Sequence, residues 1–288
     1  MFLVKKAYMS DTLQRFVFGN SQIRGKFIRL DDTLSTILQQ SAYPEEIREL
    51  LSQTLCASAL MSATLKYEGD LTIQFQSDGP LRMLVAKCDN QFRMRGTSRW
   101  GEESLPGQLK EAFEKGHLVI TIKKYKPSSQ YQSIVEIKHQ SISKALESYF
   151  TQSEQLETRF WLAYDEKTQQ AAGLLLQKLP GKEDVSEHWE HIQVLADTLT
   201  EDELLNEDNE KLLTKLFHEE TIQLFEPSAA SFYCPCNGRK MLDAISVLGE
   251  KEALELLKNN RFIEVTCEYC HQQFEFNNSE VKQLFTKH

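Results

Sequence analysis

Apolar and polar positions alternate in several stretches of the chain, and this period of two marks strands. RGKFIRL (24–30), DLTIQFQ (70–76), LRMLVAKC (81–88), HLVITIKK (117–124) and YQSIVEIKH (131–139) are rich in β-branched and aromatic residues. Turn-forming runs separate them, Ser77-Asp78-Gly79-Pro80 and Lys126-Pro127-Ser128-Ser129. The period changes in YPEEIRELLSQTLCASALMSATLK, where apolar residues recur at helical spacing from Ile47 to Leu65 and Pro44 suits a first helical position. The pattern predicts an α+β fold, with an N-terminal domain over residues 1–180 that mixes helices with a mostly antiparallel β-sheet.

Residues 181–231 read as helices. Trp189, Ile192, Leu195 and Leu199 fall on one face, Thr200 and Glu203 offer a capping box ahead of Leu204 and Leu205, and Leu212, Leu213, Leu216 and Phe217 continue the stripe. Residues 232–288 form a small unit: two short helical patterns (Met241 to Leu248, Glu252 to Leu257), the strand RFIEV, a turn and the strand QFEF. A unit of this size has a marginal hydrophobic core and gains much from a metal.

Charge sharpens this division. The net formal charge is −9, yet Gly181 to Glu226 carries 14 acids against 3 lysines, a balance of −11 that leaves +2 for the remainder. Acid-on-acid repulsion weakens helices there, so they depend on docking their apolar stripes, and a metastable linker is the expectation. From Phe232 onward 7 basic residues meet 8 acidic ones, so the tail is not a basic finger and nucleic acid is not the expected partner. No run of about eighteen apolar residues occurs, so no membrane span is expected. MFLVKKAYMS does not read as a signal peptide, and a cytoplasmic location is the expectation.

Four of the six cysteines stand in two tight pairs, Cys234 and Cys236 as C-x-C and Cys267 and Cys270 as C-x-x-C, with 30 residues between. Four soft thiolates at tetrahedral geometry suit one zinc ion per chain. Iron–sulfur spacings do not match, and four sulfur ligands leave no open position for a catalytic water. A closed structural ribbon remains one reading; such a ribbon in an interaction or nucleic-acid-binding module is the alternative function. A thiol oxidoreductase using Cys267 and Cys270 is another, though no βαβ pattern surrounds them. A switch is a third, because oxidation of the sulfurs would remove roughly 10–16 kcal/mol of zinc-binding free energy. Whole domains are stable by only about 5–15 kcal/mol.

Other candidates read more plainly. His188 and His191 in HWEH are a solvated pair, and FHEET lacks the second histidine of a zinc-protease helix because Ile222 stands there. His271 is a spare donor beside Cys270, Cys56 a buried small hydrophobe and Cys88 an ordinary free thiol. RMRGTSRW, with Arg93, Arg95, Arg99 and Trp100, reads as a solvated basic loop on which the acidic segment could dock. There is no P-loop, no GxSxG and no dinucleotide fingerprint, so neither an enzyme nor a nucleotide cofactor is expected.

Taken jointly, RFVFGNSQIRGKFIRL, ATLKYEGDLTIQFQSDGP, ALESYFTQSEQLETRFWLA, GLLLQKLPG, KLFHEETIQLFEP and the two cysteine pairs resemble the redox-regulated 33-kDa heat-shock chaperones. The resemblance covers nearly the whole chain. It implies an ATP-independent holdase, silent while Cys234, Cys236, Cys267 and Cys270 bind zinc. It further implies that oxidants release the metal, form Cys234–Cys236 and Cys267–Cys270 disulfides and unfold the linker, after which the protein dimerises. Unfolding clients would then be held for foldase chaperones.

Overall fold

The structure, a computed structural model, describes residues 11–19, 22–64, 68–101, 116–137, 141–181 and 185–286. The chain divides into two compact units, Met1–Phe232 and Tyr233–His288.

The first unit holds two six-stranded sheets. The first sheet runs β10 (Ile222–Leu224), β1 (Thr12–Phe18), β2 (Ile23–Leu30), β9 (Gln170–Lys178), β8 (Thr158–Asp165), with β11 (Ser228–Ala229) also on β1. The second runs β12 (Ser231–Phe232), β5 (Arg93–Trp100), β4 (Leu81–Asp89), β3 (Gly69–Gln76), β6 (His117–Lys124), β7 (Ser129–Glu136). Every pairing is antiparallel except β12 on β5. The observed class is α+β, as the alternation predicts.

Helix α1 (Asp32–Leu38) precedes α2 (Glu45–Ser62), which touches β2, β8 and β9 of one sheet and β3, β4 and β5 of the other. A helix held between two sheets must be small and apolar all round, so Ala57 and Ala59 are buried together with Leu51, Leu55 and Leu60. Its buried hydroxyls are satisfied locally: Ser52 donates to Arg48 O, Thr54 to Leu50 O and Ser58 to Leu55 O. Cys56 and Cys88 lie fully buried in this core, and desolvation raises both thiol pKa values, as inert packing groups require. Helix α3 (Ile142–Tyr149) continues into a π turn, Phe150–Glu154.

RMRGTSRW is strand β5, not a solvated loop. Its arginines alternate with Met94 and Gly96, which face α2, and a Cβ at Gly96 would stand 2.9 Å from Leu51 Cδ1. The small residues that let α2 approach hide the apolar alternation from the sequence. The acidic segment reaches β5 at its C-terminal end, where Ser231 pairs with Arg93. It covers the outer face of the first sheet, as α4 (Ser186–Ala196), α5 (Glu201–Asn206) and α6 (Asn209–Leu216).

That second core joins Phe16, Phe18, Ile23, Phe27, Leu174 and Leu176 of the sheet to Trp189, Ile192, Leu204, Leu212, Leu213, Leu216 and Phe217. Polar contacts fasten its margin. Arg159 donates to Asp197 (2.9 Å) and Gln193 (3.1 Å), and Trp161 Nε1 donates to Asp197 (3.2 Å). Arg29 donates to the Glu207 carbonyl, and Asn209 to Gln14 (2.9 Å). The Thr200–Glu203 capping box forms, and Lys215 followed by Thr200 holds the Glu203 carboxyl well below its ordinary range. His188 Nε2 lies 2.9 Å from Glu220 Oε1 and edge-on to Phe18, which gives this histidine a packing role.

Among the described residues, no helix is long and apolar enough to cross a membrane.

Candidate metal centre

The second unit is built on α7 (Gly238–Ser246), α8 (Glu250–Asn259), the hairpin β13 (Ile263–Thr266) and β14 (Gln273–Phe276), and α9 (Asn278–Thr286). Its core is small: Ile245, Ala253, Leu257, Ile263, Phe276 and Val281 are buried. So few side chains place such a unit near the limit at which burial alone holds a fold.

Both cysteine pairs are placed by local rules. In the hairpin Thr266 pairs with Gln273, and the six residues between them form the turn that carries Cys267 and Cys270. Cys267 N–H donates to Gln272 O (3.0 Å) and His271 N–H to Cys267 O (2.8 Å). This tight reversal requires His271 in the left-handed region, φ 54°, unusual for a residue with a side chain. Cys234 and Cys236 sit on the extended lead into α7. Asn237 caps that helix, accepting from Lys240 N–H (3.0 Å), while Lys240 Nζ donates to Pro235 O (2.8 Å) and clamps the C-x-C loop.

The four Sγ atoms converge within 4.8 Å of one another. Cys234 Sγ is 3.6 Å from Cys267 Sγ, and Cys236 Sγ is 3.3 Å from Cys270 Sγ. A tetrahedron with ~2.3 Å metal–sulfur bonds has edges of about 3.8 Å, so the spacing fits one ion. All four are free thiols rather than disulfides. Burial, then the neighbouring thiols, pushes Cys236 far above the ordinary thiol range. Burial raises Cys270 too, against the Gln272 N–H that favours its thiolate. A divalent cation would invert this balance, because a coordinating thiol is deprotonated. The donor set therefore fits a metal and could hold one.

The four residues predicted as ligands are thus brought together. His271, on the same turn, is exposed, while His188 is engaged with Glu220 in the first unit. Sequence reading missed Asn237, Lys240 and Gln272. Asn ahead of GRKM carries a capping signal, whereas Gln272 has none, since its contacts exist only once the hairpin closes.

A two-sheet unit with an acidic helical cover is thus followed by a small unit organised on four convergent thiols, a donor set that can hold a metal or form disulfides. The family model described as Hsp33 protein matches residues 11–277, and the chain belongs to the Hsp33 family. It is 40% identical over 277 residues to the 33 kDa chaperonin of Nitrosococcus oceani, spanning 96% of this chain and 95% of that one. With the 33 kDa chaperonin of Azotobacter vinelandii it shares 40% over 283 residues, 96% and 94% of the two chains. These relatives are named for chaperone function, which is not enzymatic. The crystal structure of the 33 kDa chaperonin (heat shock protein 33 homolog) from Thermotoga maritima superposes with a TM-score of 0.79, covering 96% of this chain and 98% of that one. At 22% identity that likeness is one of fold.

Proposed function

We propose that this protein is a redox-switched, ATP-independent holdase of the cytoplasm, with Cys234, Cys236, Cys267 and Cys270 as the switch. The observation that carries the reading is the convergence of four thiols within 4.8 Å in a unit with a six-residue buried core. Zinc, one per chain, supplies the cross-link between the C-x-C loop and the hairpin. Asn237 and Lys240 hold the loop in place for it, and the hairpin turn holds Cys267 and Cys270.

In the reduced form the segment 181–231 keeps the apolar face of the first sheet covered. Under peroxide or hypochlorite, Cys234 pairs with Cys236 and Cys267 with Cys270. Sulfurs bonded to one another no longer hold a cation. The small unit then loses its cross-link, and the loss reaches the acidic segment through chain continuity, since Phe232 of β12, paired with Met94 of β5, stands two residues from Cys234. Helices that repel one another by charge then leave Phe16, Phe18, Phe27, Leu174 and Leu176 uncovered, apolar surface of the kind that holds unfolding proteins. The activated form is a homodimer and passes clients to foldase chaperones. No nucleotide enters the cycle.

The test is one oxidation and reduction cycle, with zinc release, disulfide mapping and suppression of client aggregation followed together. The expected result is about one zinc per chain released, disulfides within each cysteine pair, and holdase activity that rises and falls with them. Bonds formed across the pairs, Cys234–Cys267 and Cys236–Cys270, would overturn the assigned pairing. Oxidised, zinc-free protein that lets a client aggregate at stoichiometric dose would overturn the holdase.

A further inference from the structure

Gln272 meets three of the four cysteines. Its carbonyl accepts from the Cys267 N–H at 3.0 Å, its own N–H faces the Cys270 sulfur, and its side-chain amide lies 3.5 Å from Cys236 Sγ. Two of these contacts come from the backbone and belong to the hairpin turn. The third reaches across to the C-x-C loop and depends on the side chain alone. We propose that Gln272 is a positioning residue that sets how readily Cys236 is oxidised, an inference that rests on the zinc-thiolate switch described above.

The amide has two faces to offer. To a Cys236 thiol it presents Oε1 as acceptor. To a thiolate, half a turn about its last torsion presents Nε2–H as donor from the same place. A hydrogen bond into a thiolate draws charge from the sulfur and makes it a poorer nucleophile, while the amide covers one approach to it. Cys267, by contrast, is shielded by burial (4% exposed), and Cys270 by a backbone donor that no side-chain change removes. Of the three sulfurs that Gln272 meets, Cys236 is therefore the one whose shielding its side chain controls.

In the step concerned the Cys236 thiolate attacks hydrogen peroxide, an S–O bond forms, the O–O bond breaks and hydroxide leaves. The Cys234 thiolate then attacks the sulfenic sulfur, the S–S bond forms and a second hydroxide leaves. Two thiolates lose two electrons, and one peroxide is reduced to two hydroxides.

The test uses full-length, zinc-loaded wild type, Gln272→Leu and Gln272→Glu. Zinc content is measured first. Hydrogen peroxide is then added, zinc release is followed with a chromogenic chelator, and the first sulfur modified is found by rapid alkylation and peptide mapping. Both variants keep the backbone contacts to Cys267 and Cys270, so the zinc content of each should equal that of wild type. In Gln272→Leu, initial oxidation of Cys236 is expected to be about fivefold faster, the factor for losing one ordinary hydrogen bond of about 1 kcal/mol. Oxidation of Cys267 and Cys270 in that initial phase should be unchanged. Gln272→Glu, which cannot donate, should be at least as fast as Gln272→Leu. A wild-type rate at Cys236, or all four sulfurs accelerating together, would overturn the role assigned to Gln272. A wild-type chain that holds no zinc would instead sink the switch itself, and this inference with it.

Discussion

Phe16 lies flat on Gly25. The two residues pair across β1 and β2, and a Cβ added to Gly25 would stand 2.0 Å from Phe16 Cζ. The bare glycine lets the Phe16 ring stack on Phe27 with centroids 5.3 Å apart, and Phe18, edge-on to Phe16, meets Phe217 at 5.2 Å. This aromatic row is the floor on which the acidic helices rest.

Gly25→Ala should therefore lift Phe16 into the helices above it. Overpacking of this kind costs about 1–3 kcal/mol, and the load falls on the helices that rest on this floor. The expected outcome is faster proteolysis within residues 186–217 and, on the function proposed above, partial suppression of client aggregation by the reduced protein. Wild-type proteolysis would mean that the ring finds room without moving the helices.

Arg159 makes the second fastening. It pairs with Asp197 and Glu147 and donates to Gln193, joining β8 to α4 at a half-buried margin. Arg159→Leu should loosen α4 by about 1 kcal/mol, a figure reduced by solvent screening at a partly exposed pair. Hydrogen exchange over residues 186–197 should rise, and added salt should loosen α4 less in the variant than in wild type. Unchanged exchange would show that apolar docking alone holds the helix.

Lys26 offers a pH signature. It is 2% exposed on β2, donates to Leu60 O at the C-terminal end of α2 (3.3 Å), and has Arg24 and Arg15 as its charged neighbours. Burial, then those two arginines, lowers its pKa well below 10.5. The folded state then binds this proton less readily than the unfolded chain. Stability from this group is full above the unfolded value of 10.5 and is lost as pH falls through the lowered folded value. Between those limits it adds a slope of up to about 1.4 kcal/mol per pH unit. Lys26→Met should flatten the rise of unfolding free energy with pH in denaturant titrations above neutrality. An identical slope in both proteins would show that Lys26 keeps its proton, held by the α2 terminus.

The elements that were legible before folding are those whose signal is local. Alternation located β2, β3, β4, β6 and β7, and helical spacing located α2. The Thr200–Glu203 pair marked the start of α5, and four scarce cysteines in two pairs marked the four thiols that converge within 4.8 Å. Where tertiary contact decides the composition of an element, the local signal fades. β9 is buried on both faces, and its QAAGLLLQK shows an apolar run in place of alternation. β5 carries glycine and serine where α2 presses against it, and its arginines made it look solvated.

The sequence by itself determined the fold class, the acidic character of residues 181–231 and the identity of the four thiols, because residue type and spacing act over a few positions. Only the tertiary structure decided which surface the acidic helices cover. Their apolar stripe is complementary to any apolar face, and the Phe16–Gly25 floor exists only after β1 and β2 pair. The third tie between Gln272 and the cysteines has the same origin. The amide reaches Cys236 because a left-handed turn at His271 and a capped helix at Asn237 bring together segments about 36 residues apart, and no spacing in the chain encodes that meeting.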